Sequence, residues 1–220
     1  MPAVRERRPV RVSLEDLVES CRPDREVVSL TRDHGAWSEA EYLNLDSNHL
    51  VEFTDGKVEA LPMPTLLHQR ILLWLFRQMF EFVESKDLGE VLFAALPIRI
   101  APRTYREPDI IFLSHEHADW DEEHCLAGAD LVVEIVSPSS KKRDLVQKRA
   151  EYARAKIPEY WIVNPHDETV RVLNLKGRSY EERKFVAGEK ATSHVLDGFQ
   201  IAVDDLFNSA RTPRERRQKS

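Results

Sequence analysis

Two carboxylates stand where apolar strands should exclude them. Residues 110–113 (IIFL) and 131–136 (LVVEIV) are short runs rich in β-branched side chains and flanked by breakers, so they read as buried strands rather than helices. Asp109 opens the first run and Glu134 lies inside the second. Period-2 alternation puts Leu131, Val133 and Ile135 on one face and Val132, Glu134 and Val136 on the other. Glu134 is therefore expected between two valines on a strand covered on both sides. An uncompensated carboxylate there is costly or takes up a proton. Two arrangements answer this: a buried ion pair with an arginine such as Arg99 or Arg106, or a cation shared by Asp109 and Glu134.

The elements around these residues can be read in outline. Ser137-Pro138-Ser139-Ser140 ends the second strand, and a helix is expected over 144–155. Val146, Ala150, Ala153 and Ile157 recur at helical spacing and predict its buried face, while Lys148 and Tyr152 share a different face at i and i+4. Pro158 stops that helix, and 160–163 is the next strand. Upstream, Asp55-Gly56 between alternating segments predicts a type I′ hairpin with Thr54 facing Lys57, Phe53 facing Val58 and Glu52 facing Glu59. Like charges opposite one another destabilise a sheet, so a cation lies beside this pair or both residues point to water, the commoner arrangement.

Residues 65–85 predict one long helix with a stripe of Leu72, Phe76, Met79 and Val83 widened by Leu75 and Phe82, dense enough for burial on more than one side. His68 lies near its start, either as a structural histidine or beside the site. Ser38-Glu39-Ala40-Glu41 has the form of a capping box. Further strands are expected at 90–95, 96–101, 169–175 and 179–185, an extended piece at 195–203, and a helical turn at 204–207. The acidic, histidine-bearing run at 115–124 has no HExxH or paired-cysteine spacing and reads as a solvated loop or short surface helix.

Pro108-Asp109, Glu134, Ser137-Pro138-Ser139, Lys148, Tyr152 and the segment EYWIVNP at 159–165, in that order, resemble the Uma-type family of putative restriction endonucleases, within the PD-(D/E)xK nuclease superfamily. The resemblance runs from about residue 37 to residue 207. It implies an α/β fold with a mixed central sheet flanked by helices, a restriction-endonuclease-like core. It also implies a divalent-metal-dependent endonuclease that hydrolyses phosphodiester bonds in DNA, using Mg²⁺ or Mn²⁺. Asp109, Glu134 and the Ile135 carbonyl would hold the metal, with Lys148 as the catalytic cation and Glu52, His68 and Tyr152 in support. The superfamily lysine two positions after the glutamate is replaced by Val136, and Uma-type relatives place it on the next helix, at Lys148 here. A nuclease fold that binds nucleic acid or a protein partner without cutting it is the alternative.

Composition sets the remaining bounds. At 220 residues and 42% hydrophobic, the chain can bury one full core. With a net charge of −6 it is not a globally basic nucleic-acid binder, so DNA contact has to come from a local patch, for which Lys141, Lys142 and Arg143 are the candidates. The expected organisation is a charged extension over 1–30, a single nuclease-like domain over 31–208 and a basic tail over 209–220. Cys21 and Cys125 fit no metal-ligand spacing, the first residues are charged rather than apolar, and the longest apolar run is bounded by Arg70 and Arg77. A cytoplasmic protein without membrane contact is expected, and a homodimer is left open.

Overall fold

The computed structural model describes residues 37–45, 50–122, 124–137 and 143–211, and leaves out the side chains of 118–122. Helix α1 (Glu39–Leu43) begins at the expected capping box, with the Ser38 side chain accepting from the Glu41 N–H and the Glu41 carboxylate reaching back to Ser38 N at 2.9 Å. The hairpin β1 (Val51–Thr54) and β2 (Lys57–Ala60) has the expected register, including Glu52 opposite Glu59. Its turn needs two left-handed residues, and Asp55 (φ 46°) and Gly56 (φ 84°) supply them. Pro62 and Pro64 keep the following chain out of the sheet, and Thr65 caps α2 (Leu66–Lys86) by accepting from the His68 N–H at 3.2 Å.

Then come β3 (Gly89–Phe93), β4 (Ile98–Ala101), β5 (Thr104–Arg106) and β6 (Ile110–Ser114). A 3₁₀ turn (His115–Trp120) and two short strands, β7 (Asp121–Glu122) and β8 (Cys125–Leu126), follow. After β9 (Leu131–Ile135), a wide π-type turn (Arg143–Lys148) runs into α3 (Arg149–Arg154). The chain closes with β10 (Glu159–Asn164), β11 (Thr169–Lys176), β12 (Ser179–Phe185), β13 (Lys190–Thr192), β14 (Gln200–Ala202) and α4 (Val203–Ala210).

The central sheet has the order β12-β11-β10-β9-β6-β3, and it is mixed because β9 and β10 run parallel while their neighbours pair antiparallel. Parallel neighbours need a crossover, which the π turn and α3 provide. A second six-stranded sheet has the order β2-β1-β5-β4-β8-β7, and β13 pairs with β14. The alternation read along β9 holds in three dimensions. Leu131, Val133 and Ile135 pack with α2 and α4, whereas Val132 and Val136 pack with Ile98, Leu126, Tyr152 and Ile162. The architecture is the α/β fold with a mixed central sheet flanked by helices. No described helix is long and apolar enough to cross a membrane.

Several details differ from the pattern. Helix α2 buries Ile71, Leu72, Leu75, Met79 and Val83, yet Leu66, Leu73 and Phe80 stay exposed, so it is covered on one side only. The 195–203 segment is not continuous; it turns at 196–199 and forms a strand only at β14. β5, too short to show a period, was not apparent, and the helical turn expected at 204–207 extends to Ala210. The larger change is at 143–154: Val146 is 62% exposed and Ala150 is exposed, whereas Asp144, Lys148 and Tyr152 are buried along with Ala153. The segment buries its chemical face and turns half of its apolar stripe outward. The leader at 1–30 and the end of the basic tail lie outside the described residues.

Candidate active site

Pro108 has no N–H to give, and the β6–β9 pairing ends at Ile110 opposite Val133. Beyond that point the Ile135 N–H has no strand partner on the β6 side and donates to Asp109 Oδ2 at 2.6 Å. The Asp109 backbone stays in the sheet through its N–H to Val133 O at 3.0 Å. The other Asp109 oxygen lies 3.1 Å from His68 Nε2, which the first turn of α2 delivers. Burial alone would lower the His68 pKa, but the Asp109 hydrogen bond and charge outweigh it and raise it. His68 is thus beside the site, with its Nδ1 buried and without a hydrogen-bond partner.

Glu134 points from β9 into the space between α3 and the hairpin. Its Oε1 accepts from Lys148 Nζ at 2.7 Å and from the Tyr152 hydroxyl at 2.7 Å. Lys148 and Tyr152 reach the same oxygen because they lie one turn apart. The compensation expected from Arg99 or Arg106 therefore comes from Lys148; Arg106 is drawn instead to Glu151, at 2.8 Å. Lys148 Nζ also lies 2.8 Å from Glu52 Oε1 and 3.9 Å from Asp144 Oδ1. The Glu52 contact is a close ion pair without hydrogen-bond alignment, since that oxygen makes no hydrogen bond. Glu52 does not point to water: it is 4% exposed, while Glu59 opposite it is exposed and 3.7 Å from Arg143. The π turn that presents Asp144 is tied down by the Tyr160 hydroxyl, which donates to the Asp144 carbonyl at 3.0 Å.

Carboxyls outnumber cations here. Glu52, Glu107, Asp109, Glu134 and Asp144 are buried within the same region. All but Glu52 line one small cleft with His68, Lys148 and Arg143. Burial pushes the Glu134 carboxyl well up; Lys148 opposes the shift and Asp144, Asp109 and Glu52 add to it. Burial would raise Glu52 as well, but Lys148 and Arg106 hold it below the usual carboxylate range. Burial disfavours the Lys148 charge, yet Glu134, Glu52 and Asp144 keep it protonated far above neutrality. Glu107 is pushed up to about 8 by burial, relieved only in part by the Val51 N–H.

Among the described residues, no three of His, Cys, Asp and Glu already converge as a ligand cluster. The donor set nevertheless fits a hard divalent cation: it is made of carboxyl oxygens with a strand carbonyl adjacent.

The family model described as "Putative restriction endonuclease" matches residues 37–204. The chain belongs to that family, Uma2. A crystal structure from Anabaena variabilis, of a putative nuclease belonging to DUF820, shares the fold with a TM-score of 0.66 at 18% identity, covering 78% of this Uma2 chain and 98% of that one. No curated protein matches.

In this Uma2 protein the fold brings Glu52, Asp109, Glu134, Lys148, Tyr152 and His68 into one region. Arg143 lies at the same cleft, while Lys141 and Lys142 fall outside the described residues. Glu107 was not anticipated, although it directly precedes the Pro-Asp pair. The sequence pattern marks Asp144 only as a helix start; its i, i+4 spacing to Lys148 is the available signal. The histidines at 115 and 117 go elsewhere, to Asp87 at 3.0 Å and Asp130 at 2.8 Å. Glu159, which opens the EYWIVNP segment, serves the architecture: it accepts from the Trp161 indole, the Ser193 hydroxyl and the His194 and Val195 N–H groups.

Proposed function

We propose that this Uma2 protein is a divalent-metal-dependent endonuclease that hydrolyses phosphodiester bonds in DNA. The observation that carries the reading is the buried Glu134–Lys148–Glu52 cluster beside Asp109, a surplus of carboxylates around one ammonium at the edge of a cleft. An inert core has no use for such a concentration, because apolar residues of similar size are commonly at least as stable. Asp109, Glu134 and the Ile135 carbonyl would hold Mg²⁺ or Mn²⁺, with Glu52 completing the shell. A bound divalent ion supplies Lewis acidity and lowers the pKa of water.

The chain's own residues do the rest. His68 orients Asp109, and Tyr152 orients Glu134. Lys148, kept charged by its carboxylates, offsets negative charge growing on the phosphate and orients the attacking water. The test is incubation of plasmid and single-stranded substrates with Mg²⁺, Mn²⁺ or EDTA. Cleavage with either metal and none in EDTA is expected. Absence of cleavage in every condition overturns the reading in favour of a binding protein on a nuclease fold.

A further inference from the structure

Arg106 is a buried cation for which the proposed chemistry has no role. Its Nη1 donates to Phe53 O at 3.2 Å, Thr54 Oγ1 at 3.0 Å and Tyr105 O at 2.9 Å, which fixes it to β1 and β5. Its Nε and Nη2 form a fork on Glu151, at 2.9 and 2.8 Å. Glu151 stands on α3, three residues after Lys148 and one before Tyr152. The same Nε lies 3.8 Å from Glu52 Oε2. One guanidinium thus joins the hairpin that carries Glu52 to α3, the helix that Lys148 leads into.

That junction matters because Glu52 and Lys148 come from different layers. Glu52 belongs to the second sheet and Lys148 to the crossover of the central sheet. Their 2.8 Å contact depends on how far β1 stands from α3. Glu151 also controls charge. While it holds the fork, Arg106 stays outside hydrogen-bond reach of Glu52 and leaves that carboxylate to Lys148. Without Glu151, a small movement brings Arg106 onto Glu52, and Lys148 loses one of its two close partners. A lysine in place of Arg106 has no planar fork to serve β1, β5 and Glu151 together.

We propose that Arg106 and Glu151 are positioning residues that set the separation and the charge balance between Glu52 and Lys148. The expected effect on cleavage rests on the nuclease reading; the expected effect on Lys148 does not. The test uses the full chain with Glu151→Gln, Glu151→Asp and, as a control, Gln147→Ala, which removes the 3.1 Å hydrogen bond that the uncharged Gln147 amide donates to Glu151. Four quantities are read: kcat and KM on a DNA duplex, the melting temperature, and the ¹⁵N resonance of the Lys148 ammonium, assigned with Lys148→Arg.

Glu151→Gln should lower kcat by about tenfold or more at near-constant KM, on the scale of losing a group that orients a metal ligand. It should also shift the Lys148 resonance while melting within about 3 °C of wild type. Glu151→Asp should recover part of both effects, and Gln147→Ala should match wild type. An unmoved Lys148 resonance in Glu151→Gln overturns the proposal whatever happens to kcat. If the wild type cleaves nothing, the nuclease reading fails, and the resonance alone decides this one.

Discussion

Lys148 donates to Glu134 across 2.7 Å, from a helix onto a strand fourteen residues earlier, with both side chains almost fully buried. An ammonium that cannot reach water persists only where carboxylates hold it, and a second one, Glu52, stands 2.8 Å away on the other sheet. The lysine that the resemblance leads one to expect near Val136 has a counterpart in Lys148, at the end of the π-type turn that leads into α3, and Lys148 stands bound to the carboxylates proposed to take a metal.

Lys148→Met should therefore separate two effects. Removing the ammonium leaves Glu134 and Glu52 buried together without it, so stability in EDTA at neutral pH should fall by about 3–5 kcal/mol. The same vacancy frees their oxygens, so Mn²⁺ should bind more tightly than to wild type while cleavage is mostly lost. Calorimetry with Mn²⁺ and chemical denaturation check both. Wild-type cleavage by this variant would show that the lysine has no part in the reaction.

Asp109→Ala and Glu134→Ala should each abolish divalent-dependent cleavage. Asp109→Asn adds a test at His68, whose pKa is lowered by burial but raised on balance by Asp109. The variant should bring the His68 pKa down, read by NMR titration of the imidazole. Because the folded-state value is raised, the His68–Asp109 pair adds stability below the unfolded histidine pKa, and that contribution is lost as pH rises through the folded one. In wild type the melting temperature should show this loss, and in Asp109→Asn it should not.

What could be read ahead of the fold was whatever depends on local pattern. The Asp55-Gly56 turn fixes its own register, and the alternation along β9 separates Glu134 from the α2 side of the sheet. The buried face of the 143–154 segment is not legible in sequence, because an apolar stripe marks burial only when hydrophobic packing decides the orientation. Here Glu134, Glu52 and Tyr160 decide it, from distant parts of the chain, and Val146 is left at the surface. The same reasoning covers Arg106. Burial logic makes it a candidate partner for Glu134, but its fork goes to Glu151, which becomes a neighbour only once β5 and α3 are packed.

Glu107 sets a pH dependence of its own. Its carboxyl is pushed from an ordinary value of 4.5 up to about 8, chiefly by burial. Between those values the folded state holds a proton that the unfolded state has released, so stability falls as pH rises through this window, by at most ~1.4 kcal/mol per pH unit. Glu107→Gln keeps the shape and an acceptor for the Val51 N–H but cannot ionise. In EDTA it should flatten the decline and melt above wild type near pH 8.5. Parallel melting curves from pH 5 to 8.5 for the two proteins would remove Glu107 as the cause.

The remaining prediction concerns how an acidic chain holds DNA. Arg143 lies at the cleft, 3.7 Å from Glu59 Oε1, with a buried Nε that makes no hydrogen bond. Its hold on Glu59 is long and exposed on the Glu59 side, so a phosphate can compete for it. Each phosphate neutralised by a cation releases counterions and adds about 0.9 to the slope of log affinity against log salt. Arg143→Ala should therefore lower the slope by ~0.9, and replacement of Lys141, Lys142 and Arg143 together by up to ~2.7. Fluorescence anisotropy of a labelled duplex in EDTA, across a salt series, measures this without cleavage. A slope unchanged in the triple variant would mean that Arg143 serves Glu59 alone and that DNA is held by another surface.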